Sequence, residues 1–272
     1  MSDTATAPYV MGRNDREHRR LALQGSILNP FTEQLLRRAG VAGGMRVLDI
    51  GCGVGELSLM AAGLVGYQGR VTAIDVDEMA LSTAQGRAQE LGVSNISFVH
   101  CAADDHPTGH EYDAVIGRHI LIHTPNPLSI LQSAARALRS GGVAVFQEFD
   151  FSVVHPAYPA SPLREQVLRV FREFFCRATQ GAVGSMLFHL FLEAGFSTPD
   201  CRVEYPMDGG LDSPFYEWMA ESYRSILPHL EALGLARDSN VDTLAERLRE
   251  EAVGNGAGVP GPVMVGGFAR KT

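Results

Sequence analysis

The sequence contains few cysteines, and their spacing excludes several kinds of protein. None of them forms a C-x-x-C pair, and they lie far apart in the chain. This pattern indicates reduced thiols in a cytoplasmic protein rather than a disulfide framework or a zinc site. The four are Cys52, Cys101, Cys176 and Cys201.

Long apolar runs and an excess of basic residues are also missing. The longest apolar stretch, residues 57–65, is far shorter than the roughly 20 residues that span a bilayer, so we expect no membrane partner. The start, MSDTATAPYV, lacks the basic and apolar regions of a secretory signal. The net charge of −8 argues against a nucleic-acid partner, because such proteins usually carry a basic patch.

Predicted strands and helices alternate regularly through the first half of the chain. Runs such as Val47-Leu48 are continuously apolar, as in parallel strands that are covered on both faces. Such alternation predicts an α/β fold with a doubly wound, mostly parallel sheet. The predicted strands are 46–50, 70–75, 96–101, 112–117 and 143–149, and the helices between them are 56–65, 79–91 and 127–138.

The two ends of the chain are predicted to be mainly helical. Residues 14–40 have helical spacing, and Pro30 is expected to divide them into two helices. After residue 149 the pattern predicts helices at 163–178, 187–194, 214–233 and 241–253, with strands at 202–205 and 263–269. We expect one domain, with a helical lid at 1–40, a core at 41–151, a helical cover at 152–255 and a last strand at 263–270.

A strand, a glycine-rich turn and a helix follow one another in V-L-D-I-G-C-G-V-G, residues 47–55. Glycines allow a tight turn and let the backbone approach a ligand closely. Asp75 closes the next predicted strand about 20 residues later, where a carboxylate can accept hydrogen bonds from ribose hydroxyls. Together these features predict a nucleotide-like cofactor at the strand ends.

These motifs resemble those of class I S-adenosylmethionine-dependent methyltransferases, and in particular quinone-biosynthesis and bacterial secondary-metabolite enzymes. Residues 47–55 resemble the first motif, T-A-I-D-V-D at 72–77 the ribose-binding strand end, and F-V-H-C-A-A-D-D at 98–105 the adenine-binding segment. Residues 112–119 and 137–146 resemble the fourth strand and the turn into the fifth. The resemblance implies a seven-stranded sheet and S-adenosylmethionine as cofactor.

The resemblance also implies roles for individual residues. Asp49 orders the loop, Asp75 binds the ribose, and Arg118 lines the methionine side. Ala103 offers its N–H to the adenine and Asp104 accepts from its amine, with Asp105 as the alternative because the family's G-D-A is Cys101-Ala102-Ala103 here. Tyr9–Arg20 is expected to act as a lid over the cofactor. The remaining residues shape the turn or flank the adenine, and these are Gly51, Cys52, Gly53, Gly55, Val76 and Met79.

Two other functions compete with methyl transfer. A nicotinamide oxidoreductase is less favoured, because G-x-G-x-x-G needs glycine where the chain has Glu56. A non-methylating relative that binds the same cofactor, such as a cyclase or a partner protein, has the same cofactor motif and stays open.

Candidate catalytic residues lie at the ends of the fourth and fifth strands. His119 and His123 share a face if their segment is helical, and either could act as a general base or simply pack beside the cofactor. No third metal ligand is evident near these two histidines, so no metal is expected. Glu148 and Asp150 close the fifth strand and are expected to point into the substrate cleft, unless one caps a loop and the other faces solvent. His155 in the following loop is a weaker candidate.

Aromatic residues are concentrated in the late helices. Most are expected in the core, yet their number suggests an apolar chamber for a small-molecule acceptor. The sequence therefore predicts methyl transfer to an oxygen, nitrogen or carbon of a small, largely apolar metabolite, by a cytoplasmic enzyme that could form a homodimer. The aromatic residues of these late helices are Phe171, Phe174, Phe175, Phe188, Phe191, Tyr216, Trp218 and Tyr223.

Overall fold

The computed structural model describes residues 15–106, 109, 111–238 and 240–272. The first half of the expected lid segment Tyr9–Arg20, residues 9–14, lies outside the described residues. The helices are α1 (Asp15–Ala39), α2 (Glu56–Val65), α3 (Glu78–Glu90), α4 (Pro127–Ala137), α5 (Pro162–Ala178), α6 (Val183–Glu193), α7 (Phe215–Ala232) and α8 (Leu244–Asn255). The strands are β1 (Arg46–Ile50), β2 (Arg70–Asp75), β3 (Ile96–His100), β4 (Tyr112–Arg118), β5 (Leu138–Asp150), β6 (Asp200–Glu204), β7 (Met207–Asp208), β8 (Val259–Pro260) and β9 (Val263–Arg270).

Seven strands form one sheet in the order β3-β2-β1-β4-β5-β9-β6. The first five are parallel, and β9 runs antiparallel to both β5 and β6. The chain moves outward from β1 to β3 and then returns to place β4 on the other side of β1. This reversal opens a crevice beyond the carboxyl ends of β1 and β4, where doubly wound sheets bind ligands. The expected doubly wound, seven-stranded fold is confirmed.

The sheet is covered on both faces because neighbouring strand residues point to opposite sides. In β4, Val115 packs into one apolar cluster with α4, α5, α6 and α7. Its neighbours Ala114 and Ile116 pack into another with α1 and α2. The continuous apolar strands predicted from the sequence thus supply two cores, one on each face of the sheet.

Pro30 does not divide the first helix, contrary to the expectation from its missing N–H. α1 is one helix with Pro30 inside it, and it packs against α7, β5 and β9. Hydrogen bonds hold the helix at Pro30, where Arg118 donates to Asn29 and Thr32 donates to the Gln147 side chain at 2.6 Å. These tertiary contacts outweigh the local preference for a break.

Phe191 of α6 provides a test of the core on the α4–α7 face. Its side chain is fully buried, with ring centroids 6.2 Å from Phe146 and 5.6 Å from Phe196. Phe191→Ala should lower the free energy of unfolding by about 3–5 kcal/mol in urea denaturation. Phe188→Ala is the control, since Phe188 on the same helix is 45% exposed and should cost less than about 1 kcal/mol. Equal losses would contradict this packing.

Candidate active site

A cavity of about 790 Å³ lies at the carboxyl ends of β1, β2 and β4. Its walls include the turns after these three strands, together with parts of α1, α5 and α7. The sequence-predicted cofactor residues therefore meet in one place, although they are spread along the chain from Asp49 to Arg118. The predicted cofactor residues that line it are Asp49, Gly51, Cys52, Gly53, Asp75, Val76, Met79, Ala103, Asp104 and Arg118.

The glycine-rich turn after β1 approaches two other segments closely. Gly51 has a φ of +70°, and a Cβ at this position would lie 2.6 Å from the Ile120 side chain. Its N–H and that of Cys52 both donate to the Ile74 carbonyl, at 2.9 and 3.0 Å. Gly53, with a φ of +51°, has open space where its Cβ would be, so its backbone leaves room for a ligand. Gly55 closes the turn as the left-handed residue before α2.

Asp75 joins the end of β2 to this turn. Its two carboxylate oxygens accept from the N–H groups of Gly53 at 2.8 Å and Asp77 at 2.9 Å. Burial raises the pKa of Asp75, and these hydrogen bonds oppose that rise. Beside it, the apolar side chains of Val76 and Met79 are 53% and 60% exposed on residues that line the cavity. They offer an apolar rim that a flat ring could cover.

Asp49 is buried at the base of the cavity. Ser58 donates to its Oδ2, whereas its Oδ1 has no hydrogen-bond partner in the described part of the chain. Burial raises the pKa of Asp49 to about 7, against the effect of Ser58 and of the nearby Arg118 charge. Arg118 itself donates to Asn29 and Thr32 of α1, at 2.9 and 3.1 Å. An orphaned carboxylate oxygen in a cavity marks a place for a donor or a cation.

In the segment after β3, Asp104 already has hydrogen-bond partners, although the resemblance implied that it accepts from the adenine amine. Asp104 lines the cavity, but Oδ1 of Asp104 accepts hydrogen bonds from Ser133 and, at 3.3 Å, from Arg136 of α4. Ala103 and Asp105 also line the cavity. Part of the acceptor capacity of Asp104 is therefore already used, while Asp105 stays the alternative.

His119 has an unusual backbone for a residue with a side chain. Its φ is 56°, in the left-handed region that costs free energy for residues other than glycine. Its N–H donates to the Gln147 carbonyl at 2.9 Å, and its ring packs edge-on against Phe149 with centroids 4.0 Å apart. Both ring nitrogens are buried without a hydrogen-bond partner among the described residues. Burial, with some help from the Arg118 charge, holds the pKa of His119 well below its ordinary value.

The two histidines do not share a helical face. Leu121–His123 forms a short 3₁₀ helix, and His119 lies before it in the left-handed conformation. Both nevertheless line the cavity. Burial and the charge of Arg20 lower the pKa of His123 to about 4, so both imidazoles are neutral at physiological pH.

Glu148 lies behind the cavity wall rather than in the cleft. Its Oε1 accepts from the N–H groups of Ile120 and Leu121 at 3.0 and 2.9 Å, and its Oε2 accepts from Ile122 at 3.2 Å. The expectation that it points at the substrate is corrected, because these backbone groups engage both oxygens. Glu148 is thus a positioning residue for the turn that carries His119.

Asp150 and His155 are also engaged elsewhere. Asp150 accepts from the backbone and side chains of Ser152 and Ser185, which ties β5 to the start of α6. The His155 ring stacks on Tyr205 with centroids 4.5 Å apart. Neither arrangement places these residues beside an acceptor.

Five aromatic rings form the wall of the cavity away from the glycine turn. The sequence predicted an aromatic chamber but not all of its members, since Phe149 and Phe151 lie in and just after β5. Their alternation around Asp150 is the signal that would have placed both on one face. The ring centroids of Phe149 and Trp218 are 5.9 Å apart, and Phe151 stacks on Phe175 at 4.3 Å. The five are Phe149, Phe151, Phe171, Phe175 and Trp218.

The remaining predicted aromatics lie elsewhere. Four are buried in the core, namely Phe174, Phe191, Tyr216 and Tyr223, whereas Phe188 is exposed. The cavity also has polar residues that received no individual role from the sequence: Gln24 of α1 and Ser222 of α7, together with Glu17 and Arg20 of the expected lid segment. No local motif marks them, because they meet only when the first helix packs against the seventh.

Within residues 15–106, 109, 111–238 and 240–272, no group of three or more His, Cys, Asp or Glu side chains is placed to hold a metal ion. Across the same residues, every helix is too short or too polar to cross a membrane.

A family model and curated relatives that match this chain are both described as methyltransferases. A family model described as a methyltransferase domain matches residues 42–182, just over half of the chain. A ubiquinone biosynthesis O-methyltransferase from Aromatoleum aromaticum is 40% identical over 124 residues, which is 44% of this chain and 50% of the relative. The match thus spans about half the length of the curated relatives.

Solved structures resemble the chain in fold at low sequence identity. A SAM dependent methyltransferase from Aquifex aeolicus has a TM-score of 0.55 and 16% identity, and the match covers 96% of this chain and 100% of the other. The cyclase SpnF has a TM-score of 0.53 and 20% identity, covering 89% of this chain and 80% of the other. At these identities the likeness establishes the fold alone.

The titration of Glu148 gives a test of its buried position. Burial raises its pKa to about 8, above the ordinary 4.5 of the unfolded chain, against the effect of its three N–H donors. The folded protein therefore binds more protons between these pH values, so this residue lowers the free energy of unfolding as pH rises through that window.

Glu148→Gln removes this titration while keeping one acceptor oxygen. The free energy of unfolding of the wild type, relative to that of the variant, should fall by up to about 1.4 kcal/mol per pH unit between pH 5 and 8. Urea denaturation at four pH values measures this difference. A difference that does not change with pH would show that Glu148 is not buried as described.

Proposed function

Because the chain belongs to the methyltransferase domain family, we propose that it transfers a methyl group from S-adenosylmethionine to a small, largely apolar acceptor. One observation carries this proposal. The cavity is continuous from the glycine turn and Asp75 to the five aromatic rings, which supports a cofactor and an acceptor sharing one space. Ligand sites are typically such mostly apolar clefts with a few polar groups.

The residues at the glycine turn fit the cofactor. Asp75 would accept from the ribose hydroxyls, and Val76 and Met79 would flank the adenine with their exposed apolar side chains. The open space beside Gly53 leaves room for the methionine moiety, and the orphaned Oδ1 of Asp49 suits its cationic end. These features support the proposed roles.

The other side of the adenine is proposed to meet the segment after β3. The N–H of Ala103 would donate to the ring, and Asp104 or Asp105 would accept from the amine. Asp105 is favoured as the acceptor because one oxygen of Asp104 already accepts hydrogen bonds from Ser133 and Arg136.

When bound, the cofactor supplies an electrophilic methyl group on a sulfonium that leaves as a neutral thioether. The protein's own task is then to align the acceptor and to exclude water. The aromatic wall provides both, since five rings on three separate segments enclose the space beyond the strand ends. An apolar acceptor would be held there by burial of its surface.

His119 is the residue proposed to meet the reacting group. Its imidazole is neutral, and the one of its two unpartnered nitrogens that carries no proton can accept a hydrogen bond from an acceptor's hydroxyl or amine and take up the proton as the methyl group arrives. The left-handed backbone supports this assignment, because strained residues tend to cluster at functional sites. His123 is a second candidate of the same kind, and Glu148 acts by holding the turn.

A second function, cofactor binding without methyl transfer, is favoured by one observation. SpnF, a cyclase, shares the fold at a TM-score of 0.53. Such a protein would bind S-adenosylhomocysteine and yet produce none from S-adenosylmethionine. A nicotinamide oxidoreductase is disfavoured by Glu56, whose carboxylate pairs with Arg87 beside the glycine turn. The cytoplasmic location, the homodimer and the absence of a nucleic-acid partner stay predictions from the sequence.

Asp75 tests the cofactor assignment. Asp75→Ala should weaken S-adenosylhomocysteine binding by about 10- to 100-fold in calorimetry, because hydrogen bonds to a charged group contribute about 1.5–3 kcal/mol. Asp113→Ala is the control, since this aspartate pairs with Arg139 near the start of β4 and should leave the affinity unchanged. Binding of NADH without binding of S-adenosylhomocysteine would refute the cofactor assignment.

His119 tests the acceptor site. His119→Asn should reduce S-adenosylhomocysteine production about 10- to 1000-fold, measured with the best acceptor from a panel of phenols, aromatic amines and isoprenoid quinols. The same change should leave the free energy of unfolding unchanged or raise it by up to about 1 kcal/mol, because Asn tolerates the left-handed region. His155→Asn, on the Tyr205 stack, is the control. An undiminished rate in His119→Asn would rule out the proposed role.

A further inference from the structure

A group of polar side chains lies where α1 packs against α7, and we call Glu17, Arg20, Gln24 and Ser222 the α1–α7 polar cluster. Arg20 is 4% and Glu17 5% exposed. Nε of Arg20 donates to both Glu17 oxygens at 3.0 Å, and Nη2 donates to one of them at 2.6 Å. Nη1 donates to the Gln24 side chain at 2.8 Å. All four residues line the cavity.

The face of α7 toward this cluster is fixed by two contacts. Trp218 donates to the Gln24 oxygen at 3.2 Å, and Ser225 donates to Glu17 at 2.9 Å. Ser222 lies four residues after Trp218 and three residues before Ser225, so the three side chains lie on the same face of the helix. It is one turn, about 6 Å, beyond Trp218 along the helix.

The cluster has more hydrogen-bond donors than the protein uses. Arg20 has five N–H groups. The bonds to Glu17 and Gln24 use three of them, which leaves one on each terminal nitrogen without an acceptor in the residues that the structure describes. Ser222 is 5% exposed, and its hydroxyl has no partner among those residues either. Buried donors without acceptors destabilise the folded protein, and a bound ligand that accepts from them would recover this loss.

The charge balance restricts what the ligand can be. Glu17 neutralises Arg20 at hydrogen-bond distance, and the nearby His119 and His123 are both held neutral by burial. A carboxylate bound here would bury a net negative charge, which is far more costly than burying a neutral oxygen. The spare donors therefore suit an acceptor atom that carries no formal charge.

We propose that the methyl acceptor has two polar ends, and that Arg20 and Ser222 bind the second end through an uncharged carbonyl-type oxygen. This inference rests on the proposed methyl transfer. The first end lies near His119, and the apolar body between the ends contacts Phe149 and Trp218, whose ring centroids are 5.9 Å apart. Arg20 and Ser222 then determine acceptor specificity, although neither lies in the segment matched by the family model.

Three catechols of similar size test the proposal by calorimetry on protein saturated with S-adenosylhomocysteine. They differ in the group on the ring: 3,4-dihydroxyacetophenone has a ketone, 4-ethylcatechol has none, and 3,4-dihydroxybenzoate has a carboxylate. The ketone should bind at least tenfold more tightly than either of the others. Equal affinities, tightest binding of the carboxylate or no binding by any of the three would overturn the proposal.

Ser222→Ala is the variant that tests the site itself while keeping the ion pair intact. It should reduce the ketone's advantage at least threefold and leave S-adenosylhomocysteine affinity within twofold. It should also leave the melting temperature unchanged or higher, because the hydroxyl has no partner in the described chain. Ser225→Ala is the matched comparison and should lower the melting temperature, because its hydroxyl donates to Glu17. A full ketone preference in Ser222→Ala would exclude Ser222 from the site.

The outcomes separate this inference from the proposed function. If S-adenosylhomocysteine binds and the catechols show no preference for the ketone, the second polar end is wrong and the cofactor assignment stands. If S-adenosylhomocysteine does not bind, both are overturned. Arg20→Lys gives an independent check, because a lysine keeps the charge for Glu17 but loses the planar set of N–H donors, and the ketone preference should fall.

Discussion

Glu148 is fully buried, and its two oxygens accept three consecutive N–H groups from the turn after β4. This contact holds the turn that directly follows His119, which adopts the left-handed conformation next to Phe149. The same turn places Ile120 against Gly51, where any larger residue would collide with it. One buried carboxyl group near the end of β5 thus holds a turn that reaches both the aromatic wall and the glycine turn of the cavity.

Much of the fold followed from the sequence because local pattern and tertiary structure agree there. The alternating elements, the glycine turn and Asp75 were all predicted, since a parallel sheet brings strand ends together whatever the details of packing. The misplaced features depend on distant contacts. Pro30 stays within one helix because Arg118 and Gln147 hold its neighbours, and the partners of Glu148 lie 26–28 residues before it.

The two halves of the cavity differ in whether they lie within the segment that the family model matches. The glycine turn, the β2 end and the segment after β3 lie within the matched residues 42–182. Arg20, Trp218 and Ser222 lie outside that range, on helices whose sequences carry no motif. Family membership therefore supports the proposed cofactor residues, whereas the proposed acceptor contacts of Arg20 and Ser222 depend on how α1 and α7 pack together.

The proposed acceptor wall is assembled from α1, the end of β5, α5 and α7, whereas the proposed cofactor residues come from the turns after four neighbouring parallel strands. Such a division lets selection act on the two functions separately. Substitutions accumulating in the helical cover can redirect the protein to a new metabolite without loss of its methyl donor. The cover is thus the natural region to randomise in directed evolution, with the strand-end turns left untouched.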